Sequence, residues 1–250
     1  MISDPWFYAA AVPAMIVLGL SKGGFSVIGM LTVPLLSIAI SPVQAAGITL
    51  PILILSDVVA VSSYWRQWDK GVLAVMLPGA LVGILIGWLT AAWVSEGMIR
   101  LIVGVVAVAF ALNYWLRHRR QAEASAPNAA KGAFFGMITG FASFVSHAGG
   151  PPYQVYAAPL RLPPRIFAGT AVIFFATVNT IKLVPYFFLG QFQQENLLTS
   201  AILLPISIPA TILGVWLVKR IDPKTFYELI YSFIFVVGVF LVGQSIYGMV

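Results

Sequence analysis

The chain has 250 residues, of which 60% are hydrophobic and 9% charged. A water-soluble domain carries about a quarter charged residues, so a soluble globular enzyme is excluded. A spanning helix takes about 20 apolar residues, which leaves room for roughly eight to ten membrane segments in a single membrane domain, residues 1–250. The absence of cysteine removes disulfide scaffolds, thiolate metal sites and cysteine nucleophiles. The net charge of +6 has to be read by position, because basic residues in a membrane protein record its orientation.

In chain order, MISDPWFYAA has neither the positive flank nor the cleavage pattern of a secretory signal and is expected to belong to the mature protein. An interrupted helical hairpin is predicted over 6–40, around the motif GLSKGG, followed by helices over 42–65, 71–93 and 97–116. The longest polar interruption, RHRRQAEASAPNAAK at 117–131, reads as a solvated linker. A second interrupted hairpin is predicted over 132–160, around SHAGGPP, followed by helices over 164–189, 195–218 and 223–248. The fold class is an all-α polytopic membrane protein. Trp6, Trp65, Trp68, Trp93, Trp115 and Trp216 fall near predicted helix ends, as an aromatic belt places them.

The two halves, 1–116 and 132–250, resemble one another. Gly23 and Gly24 fall opposite Gly149 and Gly150, Asp57 opposite Asn179, Tyr64 opposite Tyr186, Pro78 opposite Pro205 and Gly87 opposite Gly214. Placing Arg66, Lys70, Arg117, Arg119, Arg120, Lys131, Arg161, Arg165, Lys219, Arg220 and Lys224 in the cytoplasm satisfies the positive-inside rule with one zigzag. Both termini then lie outside and linker 117–131 inside. Arg100 is left near the outer face, four residues from Glu96, with which it can pair. In this topology the halves are inverted repeats, an architecture of secondary transporters.

Within the hydrocarbon, backbone leaves the helix only where protein or water covers it, and the two glycine motifs are the candidates for such breaks. In GLSKGG, Ser21 and Lys22 precede Gly23 and Gly24, with a new helix expected from about Phe25. In SHAGGPP, Ser146 and His147 precede Gly149 and Gly150, and Pro151 suits the first turn of a helix. Helix N-termini at both breaks, with Lys22 and a protonated His147, would attract an oxyanion near the membrane midplane. The plainer readings are packing glycines, a Lys22 that snorkels to the surface, and a neutral His147 bonded to a carbonyl. Recurrence of the motif in both halves favours a binding site. Asp57, a carboxylate well inside a predicted helix, is expected either to pair with Lys22 or to carry a proton, the alternative being a purely structural ion pair. Its counterpart Asn179 cannot titrate. Gln44, Thr49 and Gln154 are candidate cavity-lining groups, and Lys182 is expected to snorkel.

No Walker motif, HExxH pair or Ser-His-Asp arrangement is present, and two histidines make no metal cage, so neither enzyme activity nor a cofactor or metal is expected. The basic residues are accounted for by topology, which removes the case for nucleic-acid binding.

GLSKGG near the first helix, SPVQAAGITLPILILSD after it, a short basic linker and SHAGGPP opening the second half together resemble the sulfite exporter TauE/SafE family, also called the toluene-sulfonate uptake permeases, over nearly the whole chain. The resemblance implies a secondary transporter of sulfur-containing anions, such as sulfite or organosulfonates, in the bacterial inner membrane. Ser21, Lys22, Gly23 and Gly24, with Ser146, His147, Gly149, Gly150 and Pro151, match its two motifs. The expected function is export of a small anion by alternating access, from a midplane site at the helix breaks. Protons are the candidate coupling ions, and a homo-oligomer in the lipid bilayer is compatible with the sequence. A potential negative inside already drives an anion outward by about 2.3 kcal/mol per charge per 100 mV, whereas uptake needs cotransported cations. Proton-coupled uptake of another organic anion through Asp57, and an anion channel, are the competing expectations.

Overall fold

The computed structural model describes residues 2, 4–91, 93, 95–117 and 124–247, which form helices and turns and no strand. In chain order the helices are α1 (Pro5–Lys22), α2 (Thr32–Leu36), α3 (Pro42–Ser63), α4 (Lys70–Thr90), α5 (Glu96–Arg117), α6 (Ala129–Ser146), α7 (Gly150–Ala157), α8 (Pro164–Phe188), α9 (Gln194–Arg220) and α10 (Pro223–Tyr247), with short 3₁₀ turns at Ile28–Leu31 and Ala158–Leu160. Seven of them, α1, α3, α4, α6, α8, α9 and α10, are long and apolar enough to cross a membrane, and α5 contributes a shorter apolar stretch, Arg100–Leu116. This is the all-α polytopic membrane protein read from the sequence, with the long helices starting and ending within a few residues of expectation. The expected Glu96–Arg100 pair involves a side chain outside the described set, as does most of the basic part of the linker.

Several helix starts follow from local chemistry. Asp4 accepts from the Trp6 N–H at 3.0 Å, Ser41 from Gln44 at 3.2 Å, Asp69 from Val72 at 2.8 Å, Asn128 from Lys131 at 2.9 Å and Asp222 from Thr225 at 3.0 Å. Each side chain satisfies an amide that the first helical turn leaves without an acceptor, and prolines at positions 5 and 42 add the preset φ that a helix start needs. The Thr225 N–H holds the exposed Asp222 carboxyl below the usual carboxylate range, so this cap persists in mild acid.

The chain forms two compact units. The first joins Met1–Trp68 to Ala168–Arg220, and the second joins Asp69–Phe167 to Ile221–Val250, so each draws on both halves of the sequence. In the first unit α1 and α3 pack on α9, and α2 lies against α1 and α3. In the second unit α4 packs on α6, α5 on α10, and α7 against α5 and α6.

Helices in lipid gain little from burying apolar surface against one another, so contact depends on backbones approaching closely. At the α4–α6 crossing, each helix turns glycines at every fourth position toward the backbone of the other, Gly79 and Gly83 on α4 and Gly136 and Gly140 on α6. A Cβ at Gly83 would overlap the Met137 carbonyl oxygen, and one at Gly140 the Ala80 carbonyl oxygen. The α1–α9 crossing uses the same device, with Gly19 against Ser207 and Ala210, and Gly23 against Gly214. Serines reinforce the α3–α9 contact: Ser56 and Ser207 hydroxyls lie 2.9 Å apart, and Ser200 donates to the Ile48 carbonyl at 2.8 Å.

Gly83→Ala is expected to force α4 from α6 and destabilise the protein by about 1–3 kcal/mol, the usual cost of overpacking. Gly243→Ala, at a site with no atom within 4 Å of the new methyl, should be neutral or slightly stabilising. Thermal unfolding of the two purified variants in one detergent checks the contrast.

Candidate functional site

In the first unit, α1, α3 and α8 each bring a polar side chain into an apolar interior. Lys22 is the last residue of α1, where the negative end of the helix dipole favours a cation. Its Nζ donates to Asp57 Oδ1 at 2.6 Å, and the other carboxylate oxygen, Oδ2, accepts from Asn179 Nδ2 at 2.8 Å. All three residues are buried. The Lys22–Asp57 pairing expected from the sequence is therefore present, and Lys22 does not snorkel. A charge buried this deeply persists only when paired and hydrogen-bonded, and the Asp57 carboxylate has a partner on each oxygen.

Lys182 corrects an expectation. It is fully buried, at 0% exposure, instead of reaching for the surface. It lies one turn beyond Asn179 on the same face of α8 and interacts electrostatically with both Asp57 and Lys22. The first unit thus holds two lysine side chains and one aspartate in its apolar core.

The first glycine motif turns the chain just below this cluster. Gly23 ends α1, and Gly24 has φ +134°, a conformation that L side chains rarely adopt. A methyl there would also meet the Ala168 Cβ at 2.8 Å and Val218 Cγ2 at 2.9 Å. Tyr64, at the end of α3, donates its hydroxyl to the Gly23 carbonyl at 2.5 Å. Lys219 caps the arrangement: its Nζ donates to the Ser63 carbonyl at 2.8 Å and sits 5.6 Å from the Tyr64 ring centre. Two details differ from expectation. No helix begins at Phe25; a turn intervenes, and helical structure resumes at Ile28. The motif's amides are not offered to a ligand, since Gly23 N–H donates to Gly19 O at 3.0 Å and Gly24 N–H to Ser21 O at 3.2 Å. The Ser21 hydroxyl likewise donates to Leu18 O at 2.7 Å.

In the second unit the other motif behaves as read. α6 ends at Ser146, whose hydroxyl donates to Ala142 O at 3.3 Å, and His147 adopts a left-handed conformation, φ 52°, that lets the chain turn. Its own N–H and that of Ala148 satisfy the Ser143 and Ala142 carbonyls. After Gly149, α7 starts at Gly150; Pro151 and Pro152 in its first turn carry no N–H and the Tyr153 N–H donates to Gly149 O at 3.2 Å, so the Gly150 N–H is the one leading amide of α7 without an acceptor inside the helix. Gln154 is fully buried on α7. Of the polar residues expected to line a cavity, Asp57 and Asn179 are brought together in the first unit and Gln44 lies apart from them. Gln44 sits in the first turn of α3, bonded to Asn196 at 3.3 Å, about 20 Å along the helix from Asp57. The second arms of both hairpins, α2 with five residues and α7 with eight, are too short to cross a bilayer.

A family model described as Sulfite exporter TauE/SafE matches residues 10–241. The chain belongs to the TauE/SafE sulfite exporter family. No curated protein and no solved structure matches it. TauE/SafE proteins are membrane transporters. Within that frame the residue that sequence reasoning undervalued is Lys182. The signal was the i, i+3 spacing of Asn179 and Lys182, which puts the lysine on the face that meets Asp57.

Loss of one partner from a buried pair costs about 3–5 kcal/mol when it strands a charge. Lys22→Met leaves Asp57 with Asn179 and Lys182, whereas Asp57→Leu leaves two buried ammonium groups together. Asp57→Leu is therefore expected to lower the melting temperature in detergent further than Lys22→Met, and the reverse order would contradict this account of the cluster.

Proposed function

We propose that this protein is a secondary carrier that exports sulfur-containing anions, sulfite or small organosulfonates, by alternating access, with Lys22 as a primary ligand of the anion. The observation that carries this reading is the intramembrane cluster of Lys22, Asp57, Asn179 and Lys182: among its members every group but the aspartate is a hydrogen-bond donor, and two are cations. An –SO₃⁻ group offers oxygens that ammonium and amide donors bind well. The Gly150 N–H at the start of α7 is a donor of the same kind in the second unit.

Inverted repeats, the architecture suited to alternating access, account for two further features. Under the internal alignment α1 corresponds to α6 and α9 to α4, so the α1–α9 and α4–α6 crossings are one contact made twice. Gly214 and Gly87, counterparts in sequence, both sit at these crossings, against Gly23 and Phe144 respectively. Asp57 and Asn179, also counterparts, bond to one another, as residues near a two-fold axis would.

Proteoliposomes loaded with sulfite or ethanesulfonate test the proposal. Wild-type protein is expected to give saturable efflux with counterflow, and Lys22→Ala, provided it remains folded, to reduce the flux about tenfold or more, the loss of a charged ligand. Single-channel currents would replace the carrier with a channel. No flux of either anion would remove the sulfur-anion assignment.

A further inference from the structure

We infer that Asp57 is a tethered stand-in for the transported anion: it occupies Lys22 and Lys182 while the site is empty and takes up one proton when an incoming oxyanion displaces it, so that a monoanion and a proton cross together. This rests on the anion-carrier reading above and specifies its coupling.

The geometry of the cluster points there. Its donors come from two helices, Lys22 Nζ from α1 and Asn179 Nδ2 from α8, and converge on the two oxygens of a single carboxylate from α3 at 2.6 and 2.8 Å. Lys182 adds a second cation in electrostatic reach of the same carboxylate. Two oxygens fixed against an ammonium and an amide are also how a sulfonate would be held, so removing the carboxylate's charge leaves an anion site already built. A second anion next to an ionised Asp57 would be repelled by it, and strongly so in a buried site of low dielectric. Protonation of Asp57 abolishes this repulsion and frees the lysines in one step. The proton enters from the same aqueous side as the anion and bonds to a carboxylate oxygen, and no other bond is made or broken.

The surroundings confine that proton. The charged groups facing Asp57 are Lys22 from α1 and Lys182 from α8. α2 has no titratable side chain in TVPLL. α9 presents the Ser207 hydroxyl to Ser56, next to Asp57, and its Lys219 is engaged at the end of α3 by Ser63 and Tyr64. Among the described residues of this unit, Asp57 is the carboxylate placed to exchange its charge with that of the anion. Anion affinity should rise as pH falls, because acid favours the protonated form that releases the lysines. Flux of a monoanion should not respond to membrane potential, since one negative and one positive charge move together; its direction is then set by the anion and proton concentration gradients combined.

Ethanesulfonate, which stays ionised across the working range, makes the count of protons unambiguous. Saturating purified protein with it in weakly buffered detergent solution should take up about one proton per bound anion. Lys182→Met, which keeps the Lys22–Asp57 pair, should bind ethanesulfonate about tenfold or more weakly. Asp57→Asn should bind with no proton uptake, without pH dependence, and should carry the anion electrogenically. If Asp57→Asn does not fold, the wild-type proton count and the Lys182→Met affinity decide the matter. Binding without proton uptake in the wild type, proton uptake that survives Asp57→Asn or disappears in His147→Gln, or unchanged affinity in Lys182→Met would each overturn the inference while leaving the carrier standing. Failure of the wild type to bind sulfite, ethanesulfonate or acetate would instead bring down the anion-carrier reading, and this inference with it.

Discussion

A charge in the hydrocarbon core must be matched where it stands, and the Lys22–Asp57 contact is where this chain meets that demand. The pair requires α1 to end in the buried interior of its unit, because Lys22 is the last residue of that helix and gains from its dipole. It requires the chain to turn at once, which Gly23 and Gly24 allow. It requires α3 to pass Asp57 beside that turn, where Tyr64 then fastens the Gly23 carbonyl. It requires α8 to bring Asn179 to the second carboxylate oxygen. Three helices from two halves of the sequence are held by one carboxylate.

Close backbone approach makes this geometry affordable. In lipid, apolar side chains have no reason to prefer a neighbouring helix, so the glycines at the α1–α9 and α4–α6 crossings replace the hydrophobic drive with backbone contact. Gly23 serves both needs, ending α1 next to the charge cluster and admitting Gly214 of α9. The first glycine motif is therefore both packing and site architecture, and the alternatives weighed from the sequence are not exclusive. What the motif does not do is offer its own amides, which are spent on α1.

Much of this was legible in the sequence. Nearly charge-free apolar runs separated by short charged punctuation located the long helices, because a membrane span needs about 20 apolar residues whatever the fold. The Lys22–Asp57 pair could be anticipated because two opposite charges in an apolar chain have few other ways to be buried. The helix start after Gly24 was misjudged because glycine licenses a turn without fixing its length, and residues 25–27 fill it. Lys182 was misjudged because distance from a helix end says how far a lysine could snorkel, not which neighbours compete for it. Gln44 was grouped with Asp57 because both are polar and on α3, although 13 positions of helix separate them.

The functional picture is a site that carries its own counter-ion. An anion carrier has to hold cations in a medium that rejects them, and it must do so when no substrate is bound. In the mechanism we propose, a resident carboxylate answers the empty state and its protonation opens the loaded one, which would tie the chemistry of the substrate to the pH of the side it enters from. The most direct measurement is the infrared difference spectrum of the purified protein on addition of ethanesulfonate near neutral pH. The account predicts a new carboxylic-acid C=O band with loss of carboxylate signal, absent in Asp57→Asn. Binding of the anion with no such band in the wild type would show that Asp57 keeps its charge, and would contradict the exchange on which the account depends.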